Sequence, residues 1–132
     1  MIVVDASAVL ELLLQTPLAP EIAGRVLDER EAVHAPHLLD VEVAQVLRRL
    51  VRAGTLAEMR AVAALSDLGD LVIERHPHVP MLRRMWSLRD SLTAYDAAYV
   101  ALAEALDAPL LTCDAKLSRA HGHAATVELI RA

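Results

Sequence analysis

The sequence contains few of the residues that hold a small protein together by means other than aliphatic packing. Its 132 residues include one cysteine, no phenylalanine, one tryptophan and two tyrosines. A single thiol excludes an internal disulfide framework and a zinc module built on several cysteines. The 55% hydrophobic content excludes an intrinsically disordered chain. Stability therefore has to come from a core of aliphatic side chains.

Positive charge and long apolar runs are also scarce. The chain has 13 Lys and Arg residues and 18 Asp and Glu residues, which gives a formal net charge of −5. This charge disfavours a protein that coats nucleic acid with a basic surface. No uncharged apolar run approaches the ~18 residues of a membrane span, and Asp5 interrupts the apolar start of the chain. We therefore expect no signal peptide, no membrane span and a cytoplasmic protein.

Alanine and leucine dominate what is present, with 24 and 23 residues respectively, and this composition favours helices. Short apolar runs alternate along the chain with longer segments of helical periodicity. The order predicts one α/β domain over residues 1–132, in which helices cover a central, mainly parallel sheet of four to five strands. The predicted strands are 2–4, 32–35, 71–73, 109–112 and 125–129, and the predicted helices are 7–14, 21–29, 37–53 (ended by Gly54), 56–68, 81–88, 93–106 and 115–120.

Two of these strands run directly into an aspartate. Asp5 follows the first strand and Asp114 follows the fourth, and ligands of open parallel sheets bind beyond the carboxyl ends of the strands. The hydroxyls of Ser7 and Thr112 are close in sequence to these acids and are candidates for supporting contacts. Each aspartate also stands where a helix N-cap is expected, so a purely structural role remains open for both.

Two further acids lie on predicted helices. Glu42 falls on the apolar arc of its helix, between Leu38 and Val46, where an unpaired carboxylate costs several kcal/mol; the alternative is a residue at the edge of the arc that reaches water. Asp96 lies near the start of a helix that is apolar nearly all round. Its spacing from Thr93 also fits a capping box.

The four carboxylates suit a metal site if their elements meet at one edge of the sheet. Carboxylates at close range repel one another unless a cation neutralises them. Donor sets made only of oxygen favour a hard divalent ion, Mg²⁺ or Mn²⁺. Such an ion can activate water and stabilise a phosphoryl transition state. We therefore interpret Asp5, Glu42, Asp96 and Asp114 as a candidate catalytic and metal-binding set.

With these residues the chain resembles the PIN-domain ribonucleases, specifically toxins of the VapBC toxin–antitoxin type. The resemblance implies a PIN-like, Rossmann-like three-layer fold and cleavage of RNA, dependent on Mg²⁺ or Mn²⁺, that leaves a 5′-phosphate and a 3′-hydroxyl. It also implies that Asp5, Glu42, Asp96 and Asp114 form the acidic quartet and that a cognate antitoxin inhibits the enzyme. Four segments in order carry the resemblance, namely residues 1–7, 36–43, 92–104 and 111–117.

The helices carry more apolar residues than one core can bury, which predicts an interface. The resemblance implies that the antitoxin occupies an apolar helical groove and that the toxin dimerises; a homodimer interface without an antitoxin is the rival interpretation. Arg48, Arg52 and Arg89 are candidates for contacts with RNA or the partner, and a solvated basic face is the alternative. Cys113 is expected on the face opposite to Thr112, as a small buried hydrophobic residue.

Histidines are the remaining candidate ligands. His76 and His78 form one His-x-His pair, His121 and His123 form another, and His34 lies near His37 in sequence. A zinc site is one interpretation, but no acidic partner is evident, so we expect solvated loop histidines.

Three classes of function fit these patterns. The first is the metal-dependent ribonuclease, the second is another phosphotransfer domain with an acidic pocket, and the third is a catalytically silent PIN-like binding module. A haloacid-dehalogenase-like domain requires a second aspartate where this chain has Ser7. A receiver domain requires paired acids and a lysine after the last strand, and Lys116 is misplaced for that role.

Overall fold

The short apolar runs of the sequence form one sheet of five strands in the computed structural model, which describes residues 1–131. The order of the strands is β3-β2-β1-β4-β5, and every pairing is parallel. The three central strands are buried along their whole length, as a parallel sheet covered on both faces requires. The strands are β1 Ile2–Val4, β2 Val33–Pro36, β3 Glu74–His76, β4 Leu110–Thr112 and β5 Val127–Leu129.

Seven α-helices flank this sheet and confirm the predicted α/β fold of three layers. They are α1 Ala6–Leu13, α2 Ala19–Val26, α3 Leu38–Arg52, α4 Glu58–Asp70, α5 Leu82–Ser87, α6 Ala94–Leu106 and α7 Ala115–Arg119. A short 3₁₀ helix, Val79–Met81, precedes α5. Gly54 lies just beyond the end of α3 with a φ of +76°, a conformation that glycine adopts readily. No helix within residues 1–131 is long and apolar enough to cross a membrane.

Helix α6 is the most deeply buried of these helices, and alanines make up much of its buried surface. Residues 97–103 are all buried, four of them alanines, and the helix packs on β1, β2 and β4. Small side chains let a helix approach a sheet closely without overpacking the space between them. The start of α6, with Asp96, is thereby held near the centre of the sheet.

The third strand begins and ends three residues later than predicted. Residues 71–73 follow α4 as an irregular segment in which Val72 is 91% exposed, and the strand is Glu74–His76. The strand at this edge is polar because its side chains are only partly covered. The apolar run before it instead supplies Ile73 to the core.

The predicted domain boundary includes Ala132, which lies outside the described residues.

The order of the strands creates a crevice at one point of the sheet. From β1 the chain proceeds to β2 and β3 on one side, whereas β4 and β5 lie on the other side. Ligands of open parallel sheets bind where the direction of progression changes, beyond the carboxyl ends of the strands. In this chain that point lies beyond the ends of β1 and β4, where Asp5 and Asp114 follow.

Candidate active site

A cleft of about 580 Å³ opens at this point, and all four predicted acids line it. We call it the acid cleft. Asp5 comes from the end of β1, Glu42 from α3, Asp96 from α6 and Asp114 from the end of β4. Its other lining residues are Ala6, Ser7, Leu10, Leu38, Val41, Gln45, Val46, Arg49, Tyr95 and Tyr99.

Asp5 combines the two roles that its position in the sequence allows. It is the N-cap of α1, where Oδ1 accepts from the backbone N–H of Ala8 at 3.0 Å. The same oxygen accepts from the Ser7 hydroxyl at 2.7 Å, and Oδ2 accepts from the Thr112 hydroxyl at 2.5 Å. Each carboxylate oxygen offers two lone pairs. One lone pair on Oδ2 therefore remains for a ligand.

The hydroxyls of Ser7 and Thr112 connect the ends of β1 and β4. Besides contacting Asp5, Ser7 Oγ accepts from the Cys113 N–H and Thr112 Oγ1 accepts from the Asp114 N–H, both at 2.9 Å. The two hydroxyl oxygens lie 3.3 Å apart. These bonds hold the first and fourth acids in a fixed relation, as the placement of both residues in the sequence suggested.

Asp114 and Asp96 also combine capping geometry with a place in the acid cleft. Asp114 is the N-cap of α7 and accepts from the Lys116 N–H at 2.9 Å. At the start of α6, Thr93 accepts from the Asp96 N–H at 3.1 Å, which is the first half of the predicted capping box. Both acids line the acid cleft as well, so capping does not exclude a second function.

Glu42 lies at the edge of the core rather than within it. The buried residues of α3 are Leu39, Val43 and Leu47 only, so the apolar arc is narrower than predicted and Glu42 is half-buried beside it. Its Oε1 accepts from the hydroxyl of the buried Tyr99 at 2.5 Å. The carboxylate is thereby fixed toward the acid cleft.

The electrostatics of the acid cleft link all four carboxyls. Burial is the main cause that raises the pKa of Asp5, of Glu42 and of Asp96 above the ordinary values. Repulsion adds to each increase: Asp96 acts on Asp5, Asp96 and Asp5 act on Glu42, and Asp114 acts on Asp96. Burial and the contact with Glu42 also raise the pKa of the Tyr99 hydroxyl, so it stays a hydrogen-bond donor.

This donor set fits a hard divalent cation. It consists of carboxylate oxygens that repel one another, and a cation relieves that repulsion. Within residues 1–131, no three of these carboxylates bring one oxygen each to within 4.8 Å of one another. Ligands that reach a hard cation through its bound waters do not need to lie that close to one another.

Sequence reasoning missed several residues of the acid cleft. Arg49 lines it and follows Glu42 by seven residues, which is two helical turns, and Tyr99 follows Asp96 by one turn. The predicted contacts Arg48 and Arg52 are exposed on α3 and are not among the described lining residues. Arg89 also lies outside that lining and stacks on Trp86, with its guanidinium 4.9 Å from the ring centre.

Cys113 is not buried as predicted. It follows the end of β4, so the alternation of a strand does not apply to it, and it is half-buried. It lines a second cavity of about 480 Å³ between α1 and α3, together with Leu10, Leu14, Val46 and Leu50. We call this cavity the apolar groove. Burial raises the pKa of the Cys113 thiol to about 11, so the thiol is protonated and unreactive at neutral pH.

The expectation of solvated loop histidines is wrong for three of them. His123 is half-buried, and its Nε2 is buried without a hydrogen-bond partner among the described residues. His34 is a buried residue of β2, and His76 belongs to β3. The two rings are in contact, with Glu74 as the acidic neighbour that the sequence did not reveal. His37, His78 and His121 are exposed, as expected.

Comparison with known proteins agrees with this architecture. A model of the PIN domain matches residues 2–122. Ribonuclease VapC12 of Mycobacterium tuberculosis is 42% identical over 130 residues, covering 98% of this chain and 99% of the relative. Ribonuclease VapC1 of the same organism is 45% identical over 130 residues, covering 98% and 97%. The crystal structure of VapBC2 from Rickettsia felis, bound to a DNA fragment from its promoter, shares the fold with a TM-score of 0.72 at 13% identity, covering 99% of this chain and 100% of that one.

Proposed function

The chain belongs to the PIN-domain family, among the VapC ribonucleases, and we propose that it is a metal-dependent endoribonuclease, the toxin of a type II toxin–antitoxin pair. One observation carries the proposal: four carboxylates from β1, α3, α6 and β4 converge in one cleft at the point where the order of the strands reverses. Membership of the family indicates the reaction, and the acid cleft supplies the residues for it. We also propose that residues 1–132 form a single domain.

In the proposed mechanism, Asp5, Asp96 and Asp114 hold Mg²⁺ or Mn²⁺ directly or through water. The bound ion supplies charge that stabilises the phosphoryl transition state and lowers the pKa of a coordinated water. Glu42 orients and deprotonates the attacking water. Tyr99 positions Glu42 through its hydroxyl. Attack at phosphorus breaks the bond to the 3′ oxygen, which takes a proton from solvent, and leaves a 5′-phosphate and a 3′-hydroxyl.

The aspartates of the acid cleft provide the test. We expect Asp5→Asn and Asp96→Asn each to lower metal-dependent cleavage of a structured RNA by more than about 100-fold, because changes next to metal ligands alone cost 10–100-fold. Cleavage products are measured with the purified protein in Mg²⁺, in Mn²⁺ and in EDTA. Asp67→Asn, an exposed aspartate of α4, is the matched control and keeps full activity.

The outcomes separate the candidate functions. Undiminished cleavage by both variants would show that the activity does not come from the acid cleft. Binding of RNA without cleavage by the wild type in either metal identifies a silent PIN-like module. Transfer of phosphate to or from the protein, without cutting RNA, identifies an acidic-pocket phosphotransfer domain.

We propose that a VapB-type antitoxin occupies the apolar groove. The groove shares Ser7, Leu10, Val46 and Asp114 with the acid cleft, so a bound segment borders the entrance to the acids. Leu14 and Leu50 are half-buried and offer apolar surface to a partner helix. A homodimer, which the resemblance also implies, is the second proposed assembly.

A further inference from the structure

Two imidazoles and a carboxylate converge on the edge pair of strands, β2 and β3. His34 Nδ1 lies 2.8 Å from His76 Nε2 and 3.5 Å from Glu74 Oε2. One ligand atom from each of the three residues lies within 4.8 Å of the others. We call this set the edge cluster.

The register of the two strands builds the edge cluster. His34 is paired with Glu74 across the parallel ladder, and Pro36 is paired with His76. Residues two apart in a strand share a face, so Glu74 and His76 lie on the same side as His34. The backbone N–H of His37 also donates to the carbonyl of His76 at 2.9 Å, which holds the end of β3 in place. Paired backbone therefore positions the three side chains.

The edge cluster is separate from the acid cleft. Arg75, between Glu74 and His76, donates from Nε and Nη2 to the carboxylate of Asp40 on α3, both at 2.8 Å. Glu74 and His76 therefore point to the opposite face of the sheet from α3. The residues that line the acid cleft include none of the three members of the edge cluster. A ligand held here is not the ion of the proposed nuclease site.

The chemistry of the edge cluster differs from that of the acid cleft. Burial lowers the pKa of the His34 imidazole, an effect that the nearby Glu74 carboxylate partly opposes. An imidazole binds a metal ion through a nitrogen of its neutral form. Two imidazole nitrogens and one carboxylate suit zinc, whereas a set made only of oxygen suits magnesium.

The separation of the two imidazole nitrogens is close to the separation that zinc coordination requires. In the absence of metal, one of the two ring nitrogens donates a hydrogen bond to the other at 2.8 Å. Ligands at the usual Zn–N distance and tetrahedral angle place two nitrogens about 3.3 Å apart. A movement of about half an ångström by His76, which is partly exposed at the end of β3, satisfies this requirement.

We propose that His34, Glu74 and His76 bind a zinc ion, which joins the edge strand β3 to β2. Three protein ligands leave the fourth position for a water molecule. The ion replaces a shared hydrogen bond between two rings by coordination to both. The site is independent of the proposed ribonuclease activity.

Zinc titration of the purified, chelator-treated protein tests the proposal. Calorimetry of the wild type and of Asp5→Asn is expected to show a zinc ion bound with the same affinity in both, because Asp5 is not a ligand of this ion. His76→Gln and Glu74→Gln are each expected to weaken binding by more than about tenfold, since each removes a direct ligand. His78→Gln removes an exposed histidine two residues away and leaves the affinity unchanged. Zinc also raises the Tm of the wild type and of His78→Gln by several degrees, and that of His76→Gln much less.

Two results overturn the proposal. If His76→Gln lowers the Tm in chelator but binds zinc as the wild type does, the edge cluster is only a hydrogen-bonded pair of rings. If zinc binding disappears in Asp5→Asn and persists in His76→Gln, the ion belongs to the acid cleft. Circular dichroism establishes that each variant is folded. If His76→Gln does not fold, the zinc affinity of Glu74→Gln provides the test, because Glu74 is exposed. An affinity equal to that of the wild type in Glu74→Gln also contradicts the site.

Discussion

Asp5 shows how one side chain serves stability and chemistry in opposite ways. It caps α1 and accepts three hydrogen bonds, yet burial raises the pKa of its carboxyl and Asp96 adds repulsion. The hydrogen bonds favour the folded structure, whereas the buried charge opposes it. Asparagine caps helices about as well as aspartate, and its amide can donate to Thr112. Removal of the charge therefore separates the two effects.

We expect Asp5→Asn to raise the Tm of the metal-free protein, and the gain to grow with pH. A carboxyl whose pKa is raised on folding contributes stability below its unfolded pKa, near 4, and loses it as the pH rises through the folded value. The wild type therefore loses stability in that window and Asp5→Asn does not. Thermal unfolding in EDTA from pH 4 upward measures the difference between the two proteins.

The titrating groups that do not interact with Asp5 contribute equally to both proteins and cancel in the difference. Glu42, whose pKa the Asp5 charge raises, adds to the gain in the same direction. Asp67→Asn, outside the acid cleft, is the control and follows the wild type at each pH. Saturating Mn²⁺ reverses the order, because the ion stabilises only the protein that binds it. A gain in Tm that is independent of pH across this range would contradict the assignment of the effect to the carboxyl charge.

The individual acids could be predicted from the sequence, but their surroundings could not. Asp5 and Asp114 follow apolar strands, and this local pattern indicates an edge of the sheet. Tyr99, by contrast, reaches Glu42 across 57 positions of the chain, and the contact depends on how the fold brings α3 and α6 together at the acid cleft. The edge cluster needs the register of β2 and β3, which no local pattern reveals.

At the scale of the elements, burial on both faces decided which strands could be recognised. β1 and β4 are buried along their whole length, and their predicted bounds lie within one residue of the observed ones. β3 lies at the edge of the sheet, so its sequence is Glu-Arg-His and carries no apolar signal. The apolar run of residues 71–73 follows the end of α4 and contributes Ile73 to the core. The apolar signal therefore lies three residues before the strand.

Close packing of α6 on the sheet predicts an asymmetric tolerance to larger side chains. Ala97 is buried in the hydrophobic core, whereas Ala105 is exposed on the same helix. We expect Ala97→Leu to lower the free energy of unfolding by about 1–3 kcal/mol through overpacking. Ala105→Leu, with the same change in volume, should stay within about 0.5 kcal/mol of the wild type. Urea unfolding followed by circular dichroism measures both, and equal effects would contradict close contact between α6 and the sheet.

At the scale of the whole molecule, the acid cleft accounts for much of the negative charge. Four of the 18 acidic residues line it, and without these four the chain has 14 acids against 13 basic residues, Arg49 of the cleft included. The rest of the chain is nearly neutral and offers RNA few cationic contacts. Attraction to RNA then depends on bound metal and on a few arginines such as Arg49.

This balance predicts a shallow dependence of RNA affinity on salt. With three phosphates neutralised, the slope of log K against log salt is about −2. The measurement uses the wild type in Mg²⁺ with hydrolysis-resistant RNA between 50 and 200 mM salt, a range that is standard for such slopes. Arg49→Gln should lower the magnitude of the slope by about 0.7, the share of one phosphate. Arg30→Gln is the control, because Arg30 precedes β2 and does not line the acid cleft, and it leaves the slope unchanged. A slope steeper than about −4 would contradict binding through so few phosphates.

The apolar groove gives a prediction for the assembly. A glutamate at Leu50 places a charge among apolar contacts, so Leu50→Glu is expected to weaken binding of a co-expressed VapB-type antitoxin by at least about tenfold. Val62→Glu, an exposed apolar residue of α4 outside the groove, retains the partner. Calorimetry measures affinity, and light scattering measures mass. If the antitoxin still binds Leu50→Glu while a wild-type dimer becomes a monomer, the groove is a homodimer interface instead.

The hydrogen bonds between β1 and β4 also set the order in which the protein can become active. Thr112 and Asp5, joined by one of these bonds, are 107 positions apart, and Asp114 completes the acid cleft. Translation at 5–20 residues per second separates the two aspartates by roughly 5 to 20 s. During that interval a nascent chain carries Asp5, Glu42 and later Asp96 without the strand that brings the cleft together. The ribosome thus synthesises most of the chain before the acid cleft, the proposed catalytic centre, can form.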